Sequence, residues 1–173
     1  MSVIDYQKVG DQCLMPTQAT TKRGVGDFDS YEIKQDTNWR VDYIPFMPNG
    51  INCCRLSVGW EALSFNFSGC LFVVWEDQGQ FFAGHVSTGD GQDCKQRWIN
   101  ARGQFTRYAE FLPHKFIVSR TTVAIQHVYG LVSLRNGGNN ICFSTIGVSV
   151  DKTFNRTIDQ WHMFDVEWGH TVI

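Results

Sequence analysis

Apolar residues in this sequence recur at every second position or in short unbroken runs, and only once at helical spacing, so the chain is built chiefly to make sheets. Trp39, Val41 and Tyr43 alternate with Arg40 and Asp42, and Leu63, Phe65 and Phe67 alternate with Ser64, Asn66 and Ser68. Such alternation predicts half-buried strands, one face on a core and one toward water. Apolar runs at 71–75, 116–125 and 141–150 read as central strands covered on both faces. Residues 80–86 form a further strand candidate, and Asn49-Gly50 and the Asn/Gly-rich stretch 136–140 mark turns. The one clear helix is 91–101, with Asp90 as N-cap, a stop near Gly103, and Cys94 and Trp98 four apart on one side. The expected class is therefore α+β and strand-dominated: a β-sandwich of antiparallel or mixed sheets with a few flanking helices.

No repeat or linker divides the 173 residues, so a single domain over 1–173 is expected. Residues 1–28, with Pro16 and Gly24-Val25-Gly26, carry no sustained period and read as an irregular N-terminal arm. With 43% hydrophobic and 18% charged residues, disorder is excluded, and six tryptophans and thirteen phenylalanines are best placed in a thick core. A net charge of -2 without long runs of either sign removes the drive toward nucleic acid or an anionic membrane. There is no unbroken apolar stretch of spanning length, and Met1 to Tyr6 lack the basic and apolar regions of a classical signal peptide. The expected location is the cytoplasm of the producing cell. The cysteines at 13, 53, 54, 70, 94 and 142 form no CxxC pair and have no histidine at zinc-finger spacing, so no metal site is expected and the thiols are read as reduced. Cys53 and Cys54, being adjacent, should face opposite sides of a strand.

Chemistry concentrates at Phe67-Ser68-Gly69-Cys70, where an alternating strand ends in a small-residue turn and an apolar strand begins. Glu76-Asp77-Gln78-Gly79 is good turn chemistry for a hairpin joining that strand to 80–86. A two-residue loop at Asp77-Gln78 sets His85 directly across from Cys70, on the same face. An imidazole there can take the thiol proton and leave a thiolate nucleophile. Gly69 and Ser68 form a turn compact enough for a carbonyl to approach, with a backbone amide near Cys70 as oxyanion donor. Histidines in such sites have an orienting partner, and Ser64 and Asp90 are the nearest candidates.

Ser64-Phe65-Asn66-Phe67-Ser68-Gly69-Cys70, followed 15 residues later by His85, resembles the Leu-Ser-Gly-Cys motif and downstream histidine of bacterial glutamine deamidases: the cytotoxic necrotizing factor catalytic domain, the related lethal-factor deamidase and, more distantly, the CheD chemoreceptor deamidases. The resemblance covers about 25 residues, from Ser64 to Thr88. It implies a β-sandwich core with flanking helices and conversion of a protein glutamine to glutamate by a toxin or effector, delivered into a target cell. On this likeness Cys70 matches the nucleophile, His85 the general base and Ser64 the hydroxyl that orients the histidine. Phe67 departs from the usual leucine.

Two function classes follow. The first is a thiol protein-glutamine deamidase with transglutamination as a side reaction, needing no cofactor, whose partner is a target protein bearing a reactive glutamine. The second is a non-catalytic β-sandwich that binds a partner protein, as an immunity or adaptor module does. It predicts a buried, unreactive Cys70 and an exposed aromatic patch.

Overall fold

The structure is a computed structural model and describes residues 12–13, 41–48, 50–88, 93–119, 125–153, 156–169 and 171–172. The strands, in chain order, are β1 (Gln12–Cys13), β2 (Val41–Ile44), β3 (Ile51–Arg55), β4 (Glu61–Phe65), β5 (Leu71–Asp77), β6 (Gln80–Val86), β7 (Arg107–Phe111), β8 (Ile125–Arg135), β9 (Asn140–Val150), β10 (Arg156–Val166) and β11 (Thr171–Val172). The helix α1 (Asp93–Arg102) lies between β6 and β7. One sheet has the order β1-β2-β4-β8-β9-β10 and the other β11-β7-β5-β6-β3. Both are mixed, because β2 runs parallel to β4 and β11 parallel to β7. The strand-dominated α+β sandwich expected from the residue pattern is what the chain forms.

The core between the sheets holds Ile44, Cys54, Ala62, Phe67, Cys70, Phe72, Val74, Phe111, Val132 and Phe143. Phe111 of one sheet stacks on Phe143 of the other, centroids 4.1 Å apart and planes 8° off parallel. On the far face of the five-stranded sheet, Cys94, Trp98 and Ala101 of α1 pack against Cys53, Val73 and Trp75. Their spacing of four and three residues is the apolar stripe of an amphipathic helix. Cys53 and Cys54 do point to opposite faces, one toward the helix and one between the sheets. Trp98 and Arg102 on α1 both donate to the buried Glu110 carboxylate, Arg102 at 2.6 and 2.8 Å.

Three expectations need correction. The strands at 41–44 and 61–65 are not half-buried. Val41 and Leu63 sit in a buried cluster on the outer face of the six-stranded sheet with Tyr129, Leu131, Ile146 and Val148, while Asp42 and Ser64, read as the water side, are buried on the inner face. The run 116–125 is not one central strand, for Pro113–Phe116 is a 3-10 turn and Val118 is 71% exposed, with β8 starting only at Ile125. Proline at the head of that turn lacks the amide a ladder needs. Residues 120–124 lie outside the described residues, as do Trp39, Arg40, Asn49, the 1–28 arm except Gln12 and Cys13, and the opening of the expected helix with Asp90.

The third correction concerns the hairpin beside the site. Its loop is Gln78-Gly79, not Asp77-Gln78, since Asp77 pairs with Gln80. Both loop residues have positive φ, 50° for Gln78 and 75° for Gly79, as a type I′ turn requires, and glycine takes the second place readily. His85 therefore pairs with Phe72, not with Cys70.

On the outer face of the six-stranded sheet, the ladders align Glu61, Ser133, Cys142 and Asp165 in one row across β4, β8, β9 and β10. No helix among the described residues is long and apolar enough to cross a membrane.

Candidate active site

Sliding the hairpin loop by one residue moves each pairing by two, which changes the partner but keeps the face. Cys70, immediately before β5, shares the inner core with Phe72, and His85 stands opposite Phe72 on β6. The thiol and the imidazole are thus diagonal neighbours on one face rather than a directly opposed pair. Cys70 is 5% exposed and His85 1%.

Ser64 reaches His85 from the other sheet. Its Oγ lies 2.8 Å from His85 Nδ1 and 2.7 Å from the Ile44 carbonyl oxygen. A hydroxyl has one proton to give, and a carbonyl can only accept, so Ser64 donates to Ile44 and accepts from His85. That assigns the imidazole proton to Nδ1. Nε2 then carries a lone pair, and it is buried with no hydrogen-bond partner among the described residues. Burial pushes the His85 pKa down from 6.5 to about 3. The ring is accordingly neutral at physiological pH.

Two phenylalanines hold the imidazole. Phe67 stacks on it with centroids 4.3 Å apart and planes 11° from parallel, and Phe46 packs at 5.3 Å with a 59° tilt. Asn52, directly across from His85 on β3, donates from Nδ2 to the Pro45 carbonyl at 2.9 Å and so ties down the start of the segment carrying Phe46. Gly50 closes that segment by donating its amide to the Met47 carbonyl. None of Phe46, Asn52 or the Ile44 carbonyl was singled out from the sequence. Phe67 stood out there only as a departure from leucine.

The remaining candidates are placed as follows. Ser68 is exposed and Gly69 half-buried in the bend before Cys70, and a Cβ on Gly69 would meet Thr88 Oγ1 at 3.4 Å. Asp90 lies outside the described residues, so the orienting group the structure presents is Ser64. No group of three or more His, Cys, Asp or Glu side chains able to hold a metal ion gathers among the described residues.

No protein-family model and no curated protein matches the chain. Among solved structures it is similar to the C-terminal domain of CNFy from Yersinia pseudotuberculosis, with 8% sequence identity and a TM-score of 0.37 over 76% of this chain and 64% of that one. This chain thus spans less than two thirds of the length of that domain. The likeness is a distant one of fold and carries nothing about chemistry.

Proposed function

We propose that the protein is a thiol amidohydrolase that converts a glutamine side chain of a target protein to glutamate. The observation that carries this reading is the unpartnered Nε2 of His85, its tautomer set by Ser64, on the same inner face as Cys70. In the first half-reaction the Cys70 proton passes to Nε2 and sulfur bonds to the carboxamide carbon, giving a tetrahedral oxyanion. As the C–N bond breaks, Nε2 returns the proton to the departing nitrogen and ammonia leaves a thioester. In the second, water gives a proton to Nε2 and its oxygen to the acyl carbon, and the breaking C–S bond leaves sulfur to regain that proton. The sum is amide plus water to acid plus ammonia. An amine replacing water gives transglutamination by the same steps. Backbone amides at Gly69 and Cys70 are the proposed oxyanion donors.

A second reading, a partner-binding sandwich without catalysis, is favoured by the burial of Cys70 and by the exposed Trp161 and Met163 side by side on one face of β10. The two part in a single experiment. Mixed with lysates of candidate target cells, the wild-type chain should shift one or a few glutamine-containing peptides by the mass difference between amide and acid, and Cys70→Ser should not. No shift in any lysate, together with a stoichiometric partner recovered equally by wild type and Cys70→Ser, makes the binding reading the better one.

A further inference from the structure

Ser64 fixes one edge of the His85 ring, but one hydrogen bond fixes a point and not a plane. An imidazole held at Nδ1 alone can pivot about that contact and swing Nε2 with it. The plane is set by something else. Phe67 lies on the ring 11° from parallel at 4.3 Å, close to van der Waals stacking, and is itself 2% exposed. Its backbone is held in turn. Asn66 has φ 72°, the Ser68 amide closes a tight turn onto the Asn66 carbonyl at 3.2 Å, and the Phe67 amide donates to Val128 at 3.3 Å. This turn points the Phe67 ring inward, out of the strand that Ser64 occupies.

Room for that ring comes from β8. Gly130 pairs with Ser64, and a Cβ there would lie 2.5 Å from Phe72 Cδ1 and 3.2 Å from Phe67 Cε2. Phe72, the residue opposite His85, packs on Phe67 at 5.4 Å. The side chain missing at Gly130 is thus matched by the rings of Phe67 and Phe72, and the imidazole stacks on the first of them.

We propose that Phe67 is a positioning residue for His85: its ring, seated in the space that Gly130 leaves, sets the imidazole plane in which Nδ1 donates to Ser64 and Nε2 stays open toward the Cys70 side. The consequence for catalysis rests on the thiol mechanism proposed above, while the positioning itself does not. Leucine at this position would fill much of the volume without offering a flat face, so it is the informative replacement. Aromatic cover on the ring face also adds to the burial that keeps His85 neutral. Among the described residues, the titratable groups on the inner face around the imidazole are Cys70 before β5, Cys54 on β3 and Asp42 on β2, with Ser64 of β4, Gly130 of β8 and Asn52 of β3 uncharged.

The test is long-range nitrogen–proton NMR of the imidazoles in the full chain, with the His85 signals assigned by their loss in His85→Gln. Wild type should show one tautomer, protonated at Nδ1, with no titration between pH 5 and 8, well above the lowered value of about 3. Phe67→Leu should show a second tautomer and a midpoint moved up toward the ordinary histidine value of about 6.5. Phe67→Tyr should restore the wild-type spectrum. With a deamidated substrate in hand, Phe67→Leu should lower kcat about tenfold at unchanged KM and move the acid limb of the pH profile upward. Phe67→Met, which fills space flexibly, serves if the leucine variant does not fold. Tautomer averaging in wild type overturns the proposal, and so does a Phe67→Leu or Phe67→Met protein with lowered Tm but an unchanged His85 spectrum. Normal NMR behaviour without any deamidation would instead count against the proposed function alone.

Discussion

Cys70 and Cys142 are each 5% exposed, and each belongs to a cluster with a serine hydroxyl and a titratable side chain displaced by burial. The neighbours differ in kind. Beside Cys70 the titratable group is a neutral imidazole with an open lone pair, which can receive a proton. Cys142 is flanked on its ladder by Ser133 and the Asp165 carboxylate, with Glu61, whose pKa burial raises to about 7, one strand beyond Ser133. Burial pushes the Cys142 thiol up, the Asp165 and Glu61 carboxylates push it further, and Arg135 and a Ser133 hydrogen bond only partly oppose them. A thiol near polar groups is therefore not enough. What separates a candidate nucleophile from a core thiol is whether the acceptor of its proton becomes a cation that holds the sulfur anion or the thiol stands among carboxylates that repel it.

The sharpest way to break this contrast is to remove each sulfur. Cys70→Ser should lower the deamidation rate on the order of 10³-fold or more, and Cys142→Ser should leave it unchanged. Equal losses in the two variants, measured by ammonia release at matched folded fraction, would erase the distinction. A smaller effect is expected from the two serines. Ser64→Ala should cost about tenfold by freeing the Nδ1 edge, while Ser133→Ala should leave the rate as it is.

The smallest effect is in stability against pH. The folded pKa of His85 lies below its unfolded value, so the unfolded chain binds the proton first and wild type loses stability relative to His85→Gln as pH falls from about 6.5 toward 3. The folded pKa of Glu61 lies above its unfolded value of 4.5, so wild type loses stability relative to Glu61→Gln as pH rises from 4.5 through about 7. Denaturant midpoints across that range should give difference curves of opposite slope for the two variants. Parallel curves would show that burial does not shift the two groups in opposite senses.

The residue pattern revealed the sandwich and the stripe of α1, because both depend on periodicity alone. It misjudged the hairpin by one residue, since the requirement for positive φ at Gly79 outweighs the general turn quality of Glu76-Asp77-Gln78-Gly79. The alternation at Ser64 was visible, but its polar side was assigned to water. Whether a polar face meets solvent or another sheet depends on what packs there, and no single strand carries that information. Phe67 stacks on His85 across a distance in sequence that no local pattern spans.

The hydrogen bond between Ser64 and His85 joins the two sheets, and Ile44, which receives the Ser64 proton, is the last residue of β2 before the chain crosses to β3 in the opposite layer. A molecule that has formed both sheets without docking them holds all three groups but not their relation. Its histidine would titrate as in a peptide. During refolding, the disappearance of that titration would mark the moment of docking, so one imidazole reports on assembly of the whole sandwich as well as on its own surroundings.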